Sequence, residues 1–346
     1  MTAKKLLYYS ISAIVLIACY FLLTLLGGCR PKVNNSRPDF AIKDTSHVDQ
    51  IQITEANGNS IVIQRRTTPN VWKLNSGDFD AREDAVDLIL ETIFRIKIKQ
   101  EVDESSRNNI INQIAASNKK VDFFKNNAET PFKTYYVGNS TPDKLGTFMV
   151  MSERIDGKMV KSNPYIVYKP GMYGHLESRF FSEINEWRST AVFKYGRGTI
   201  SRVHLHFFEE PQKSHVVEID QKGGLKLFEN TGKEVSEFNT KSVQRYVTLM
   251  MRLNYEGMNK ELSIHEADSV MRSDPLYALT VTDDKGAQKK VIIHRKFAPP
   301  GLTDYKDDPI LWDKDRYWGH IEGNSELMKL QFFSWGPVFK PISFFQ

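Results

Sequence analysis

Cysteine is nearly absent: the 346 residues hold two, Cys19 and Cys29, and none follows. Everything beyond Cys29 is therefore without a disulfide or a thiol nucleophile, and its stability must come from hydrophobic packing. A strong charge of either sign is also missing. The 47 basic and 42 acidic residues leave +5, of which Lys4 and Lys5 supply two, so the rest of the chain carries a thinly spread excess. Nucleic acid needs a clustered basic face, and none is present. Also missing are G-x-S-x-G, H-E-x-x-H, a P-loop and G-x-G-x-x-G; "GRGTIS", from Gly196, has two glycines only and precedes a strand, not a helix. Neither a catalytic residue nor a cofactor is assigned.

What is present begins at the N-terminus. Lys4 and Lys5 precede "LLYYSISAIVLIACYFLLTLL", an uncharged run over residues 6–26. At about 1.5 Å per residue a helix of this length spans a hydrocarbon core of roughly 30 Å. The run ends in Leu26-Gly27-Gly28-Cys29, the form of a bacterial lipobox, in which the cysteine sulfur receives lipid. Two readings follow, a signal segment with lipid attachment at Cys29 or an uncleaved membrane helix. Both place residues 30–346 on the periplasmic side of the cell envelope.

The remaining composition, 26% charged and 40% hydrophobic, describes folded matter, and the length suffices for two domains. Residues 1–29 read as the signal or anchor segment and 30–44, with two prolines and no periodicity, as a tether. Thereafter the chain spells one unit twice, over 45–190 and 191–346. "HVDQIQIT" alternates Val48, Ile51 and Ile53, and "TISRVHLH" gives Ile200, Val203 and Leu205 at a constant offset of 152. "SIVIQRR" and "HVVEIDQ" complete a hairpin in each, and "VWKLN" and "GLKLFEN" add a third strand. A helix follows in both: Val86, Leu90, Ile93 and Ile96 are spaced like Val243, Val247, Met250 and Leu253, with Asp80 as the expected cap of the first. "SRNNIINQIAAS" suggests another helix, and strand-like runs come next, "DPILW" among them. The expected fold is α+β: two tandem repeats after an N-terminal membrane segment, each a mostly antiparallel sheet with helices on one face. "GHLE" from Gly174 and "GHIE" from Gly319, with Phe-Phe-Ser at 180–182 and 332–334, read as words that close each unit.

"FAIKDTSHVDQIQIT", "VWKLN", "DAREDAVDLILETIF", "YYVGNSTPDKLGTFMVM", "YIVYKPGMYG" and "EWRSTAVFKY", in this order, resemble the domain-of-unknown-function family 4340. The resemblance covers nearly everything after the tether and implies a membrane-anchored bacterial envelope protein, some relatives being linked to ABC-transporter auxiliary proteins. It implies no activity, cofactor or catalytic residue.

Four groups are candidate sites. His204 and His206 share one strand face but lack further ligands for a metal, so a solvated face is expected and no metal is assigned. His175 with Glu177 and His320 with Glu322 recur in both units, which argues for a role in the fold. Asp307, Asp308, Asp313 and Asp315 crowd one loop without an EF-hand pattern. The tail "LQFFSWGPVFKPISFFQ" concentrates Phe332, Phe333, Trp335, Phe339, Phe344 and Phe345, which either fold back as a final strand or dock on a partner. On the docking reading, removing residues 341–346 weakens capture and leaves the fold intact. The function expected is a membrane-anchored scaffold or binding module of the cell envelope, within a larger assembly. Its partners are the membrane, through the N-terminal segment or lipid, and an envelope protein. The alternative is an envelope enzyme acting on peptidoglycan or polysaccharide through the aspartate cluster or His320.

Overall fold

The computed structural model describes residues 38–346 apart from 67–70, 78 and 118. The apolar run over 6–26 and Cys29 lie outside the described residues. Among the described residues no helix is long and apolar enough to cross a membrane.

The chain forms mostly antiparallel sheets with a few helices, an α+β fold. The first sheet holds β1 (Val48–Thr54), β2 (Ser60–Arg66), β3 (Val71–Leu74), β4 (Phe79–Asp80), β5 (Lys97–Glu101), β6 (Lys119–Lys125), β7 (Lys133–Ser140), β8 (Thr147–Ile155), β9 (Lys158–Lys161) and β10 (Tyr165–Tyr168). Helices α1 (Glu83–Arg95) and α2 (Glu104–Ser117) flank β5, and the short α3 (Ile184–Trp187) follows. A small ribbon pairs β11 (Ala191–Lys194) with β16 (Arg252–Asn254). The second large sheet holds β12 (Ile200–Phe207), β13 (His215–Ile219), β14 (Leu225–Glu229), β15 (Glu234–Val235), β17 (Gly257–Met258), β18 (Tyr277–Asp283), β19 (Gln288–Phe297), β20 (Trp312–Ile321) and β21 (Met328–Gln331). Its helices are α4 (Thr240–Leu249) and α5 (Ile264–Arg272), with α6 (Phe332–Trp335) at the end.

The first sheet runs β4-β3-β2-β1-β6-β7-β8-β10-β5, with β9 a side branch on β8. The second runs β15-β14-β13-β12-β18-β19-β20-β21-β17, place for place the same order. Alternation sets which side chains turn inward: Val48, Ile51 and Ile53 of β1 are buried, as are Ile200, Val203 and Leu205 of β12. Both strands carry a register shift against their neighbour at matching positions, between Val48 and Gln50 and between Ile200 and Arg202. A bulge inserts an extra residue and bends the strand, so the two sheets share a local irregularity as well as a strand order.

Several expectations need correction. Helices lie on both faces of the second sheet: α4 buries Val243 and Tyr246 in the core with Val203, Val281 and Val291, whereas α5 sets Ala267 against Trp318. Tyr317 and Trp318 are successive strand residues and point to opposite faces, so an apolar Trp318 needs cover of its own. In the first sheet α2 does the same for Val150, Tyr136 and Phe148. Asp80 does not cap α1. It belongs to β4, its carboxylate pairs with Lys73, and the cap position is Arg82 without a side-chain cap bond. On α1 Ile89 is buried and Leu90 only partly so. "DPILW" forms no strand before Trp312. Ala41 and Ile42, assigned to the tether, are buried, and the Ile42 amide donates to the Ile93 carbonyl at 2.9 Å.

The repeated words also part company. Gly319 and His320 lie in β20, the strand before the last of the sequence, while Gly174 and His175 follow β10, the last of theirs. Only Phe-Phe-Ser comes after the final strand in both. The tail does fold back, but as α6 and a tight turn over Ile342–Phe344, not as a strand.

Candidate partner-binding surface

The end of β21 leads directly into α6, where the Gly336 amide donates to the Phe332 carbonyl at 2.7 Å. A Cβ at Gly336 would stand 2.7 Å from that same oxygen, so the close turn requires glycine. This single turn divides the aromatic tail. Trp335 points into the second core, and its indole N–H donates to the Asn254 carbonyl at 2.8 Å. Phe345 is likewise buried, between His215 and Tyr246, and its carbonyl accepts from the Asn239 amide at 2.6 Å. Phe339 is partly buried and stacks on Tyr277 with ring centres 4.2 Å apart. These three are consumed by the core and leave the set of contacts expected for a partner.

Phe332, Phe333 and Phe344 remain accessible, Phe333 at 90% and Phe332 at 48%. The first two edge a surface cavity of about 620 Å³ whose rim adds Arg316, Pro337 and Lys340. Arg316 is held by Glu256 through bonds of 2.8 and 3.1 Å, and the arginine's hydrogen bonds hold Glu256 below the usual carboxylate range. The result is an apolar pair of rings on a rigid base, bordered by Arg316 fixed on Glu256, by Asp315 and by Lys340, whose ammonium lies 5.3 Å from the centre of the Phe344 ring.

The other candidate residues are scattered. His204 and His206 share the second sheet's outer face with ring centres 6.1 Å apart, and burial lowers the pKa of His204. His215 faces the core. His320 stacks on His294, ring centres 5.3 Å apart, and Glu322 pairs with Lys290 at 2.7 Å. Glu177 lies 3.8 Å from Lys119, and the His175 carbonyl accepts from Ser178, so the two His-Glu pairs have different surroundings. Asp313 turns toward Lys296 at 3.8 Å, while Asp307, Asp308 and Asp315 are exposed. Among the described residues no three His, Cys, Asp or Glu groups converge as a metal site.

One polar cluster escaped sequence reasoning altogether. Arg188 forms a fork with Glu326 at 2.8 and 2.7 Å across 138 residues, and its guanidinium lies 3.9 Å from the centre of the Phe79 ring. Arg188 falls in the segment "EWRSTAVFKY" and Glu326 in none of those quoted above, and nothing local to either could have paired them. The hydrogen bonds from Arg188 hold Glu326 below the usual carboxylate range.

Compared with protein-family models, with curated proteins and with solved structures, the chain matches none.

Proposed function

We propose that the protein is a membrane-tethered, extracytoplasmic binding module of the bacterial cell envelope, built by duplication of one α+β unit over 45–190 and 191–346. The common strand order and the bulge at matching positions support duplication. The apolar run over 6–26, the lipobox-like Cys29 and the resemblance to the envelope family support tethering, with residues 30–346 on the periplasmic side. A tether raises the effective concentration of the module toward membrane-bound partners.

The observation that carries the binding role is the exposed Phe332–Phe333 pair on a turn whose opposite side is locked by Trp335. Large aromatic rings held rigidly at a surface lose little entropy on docking and are frequent binding anchors. A photo-reactive residue at position 333 is expected to crosslink one envelope protein in native membranes. The same residue at position 173, where Tyr173 is 94% exposed, is the control. Equal labelling at both positions would reject this surface as the contact. Incorporation of a lipid precursor, lost in Cys29→Ala, tests the anchor.

A further inference from the structure

A second site lies where the two halves meet. Ala81 and Arg188 form an antiparallel bridge, the Arg82 amide donates to the Trp187 carbonyl at 2.7 Å, and the Ser189 amide donates to the Asp80 carbonyl at 2.8 Å. The segment joining the halves is thereby stitched to the edge of the first sheet. Beside it opens a cavity of about 320 Å³ with walls from both halves. This is the lower end of the size range of small-molecule sites, and junctions between domains are frequent places for them.

Charge in the cavity does not balance. Lys73, Arg188 and Lys289 face it, with Asp80 and Glu326 as the acids. Lys73 pairs with Asp80, and Arg188 takes both oxygens of Glu326. That leaves Lys289, whose ammonium donates to the Val192 carbonyl at 3.0 Å. Among the described residues no carboxylate lies within 4.0 Å of it. An ammonium has three donors, so two are left to point elsewhere. Burial lowers the pKa of Lys289, and the Asp80 carboxylate, shared with Lys73, offsets only part of this, so the three cations still exceed the two acids by one charge. The rest of the wall is mixed: Val192, Met258, Ile321 and Met328 supply apolar surface, and Ser189, Tyr255 and Asn324 polar groups.

We infer that this junction cavity binds a small monocarboxylate with a short apolar body, the carboxylate on Lys289 and the body against Met258, Ile321 and Met328. One unmatched positive charge suits one negative charge. A dianion such as phosphate would bring a second charge toward Asp80 and Glu326 and would find no apolar complement for itself.

The test uses the full chain in detergent, with benzoate as probe, benzamide as its neutral isostere and inorganic phosphate as the competing anion, followed by titration calorimetry. Benzoate is expected to bind at least tenfold more tightly than benzamide or phosphate. Lys289→Gln should erase the preference over benzamide, and Lys289→Arg should keep it. Met258→Trp, which fills the cavity and leaves the charge, should abolish binding of both aromatic probes. Equal binding of benzoate and benzamide, tighter binding of phosphate, or benzoate affinity unchanged in Lys289→Gln would each overturn the assignment. The Phe332–Phe333 surface is untouched by these variants, so crosslinking at position 333 reports on it separately.

Discussion

His215 has no accessible surface and is enclosed by Tyr246 and Phe345, with ring centres 5.3 and 5.0 Å away. Burial brings its pKa from 6.5 to about 4, and His294, under α5, is brought to about 4 in the same way. The unfolded chain therefore binds protons between these values that the native one refuses, and stability is complete above about 6.5 and declines as the pH falls toward 4. Each such group contributes about 1.4 kcal/mol per pH unit of separation between the two states. Denaturant midpoints at pH 7.5 and 5 should differ clearly in the native chain and less in His215→Phe. The same enclosure alters the expectation for the tail. Removing residues 341–346 takes Ile342 and Phe345 out of the second core, so the loss is on the order of 3–5 kcal/mol. A large fall in melting temperature is expected where an intact fold was anticipated.

At the scale of elements, α5 is the most completely specified helix. The Ser263 hydroxyl accepts from the Glu266 amide, and the Glu266 carboxylate accepts from the Ser263 amide at 2.8 Å. Ser263→Ala is expected to cost about 1 kcal/mol, measurable as a shift of the urea midpoint. Strands with strict alternation, β1 and β12 above all, were legible because a period of two has one physical cause, a buried and a solvated face. The helix stripes were legible for the same reason from Val86 to Ile93 and from Val243 to Val247, but Ile96 and Met250 lie just past the helix ends and Leu253 in β16, and Ile89 and Tyr246 joined the buried faces because a helix face is wider than a single file of residues. The Gly-His words misled because they were matched by letter. Connections differ between the halves: β7 and β8 are joined by residues 141–146, β19 and β20 by residues 298–311, and β9 has no counterpart in the second sheet. These differences offset one another along the chain, so an equal spacing at both ends conceals unequal loops between. The division of the aromatic tail was not legible either, since Phe and Trp in a dense run give no sign of which ring a tight turn sends inward.

At the scale of the whole molecule, the Arg188–Glu326 fork links the connecting segment to the turn before β21. Arg188 is mostly covered while Glu326 is over one-third exposed, so solvent screens part of the attraction. Arg188→Ala is expected to cost about 1–2 kcal/mol, more than a surface pair because Glu326 loses its partner and Phe79 its cover. Differential scanning calorimetry should show a lower and broader transition as the halves unfold less in concert. Glu326 adds a pH effect of defined sign. Its pKa is depressed in the native state, so its contribution is present above the ordinary carboxylate range and disappears on acidification through the lowered value. In Arg188→Ala this portion of the acid sensitivity should shrink to what the Asn324 hydrogen bond sustains.

The margins of the sheets bear on how many such chains can crowd together. The second sheet ends in β15 and β17, two residues each, and the first in the two-residue β4, in β5, whose "KIKQE" places lysines and a glutamate outward, and in the side branch β9, four residues bounded by Lys158 and Lys161. Brief or charged borders make poor templates for a neighbouring backbone. Molecules of this chain at high density should thus stay separate particles, and sedimentation at rising protein concentration should show no ladder of ever larger species.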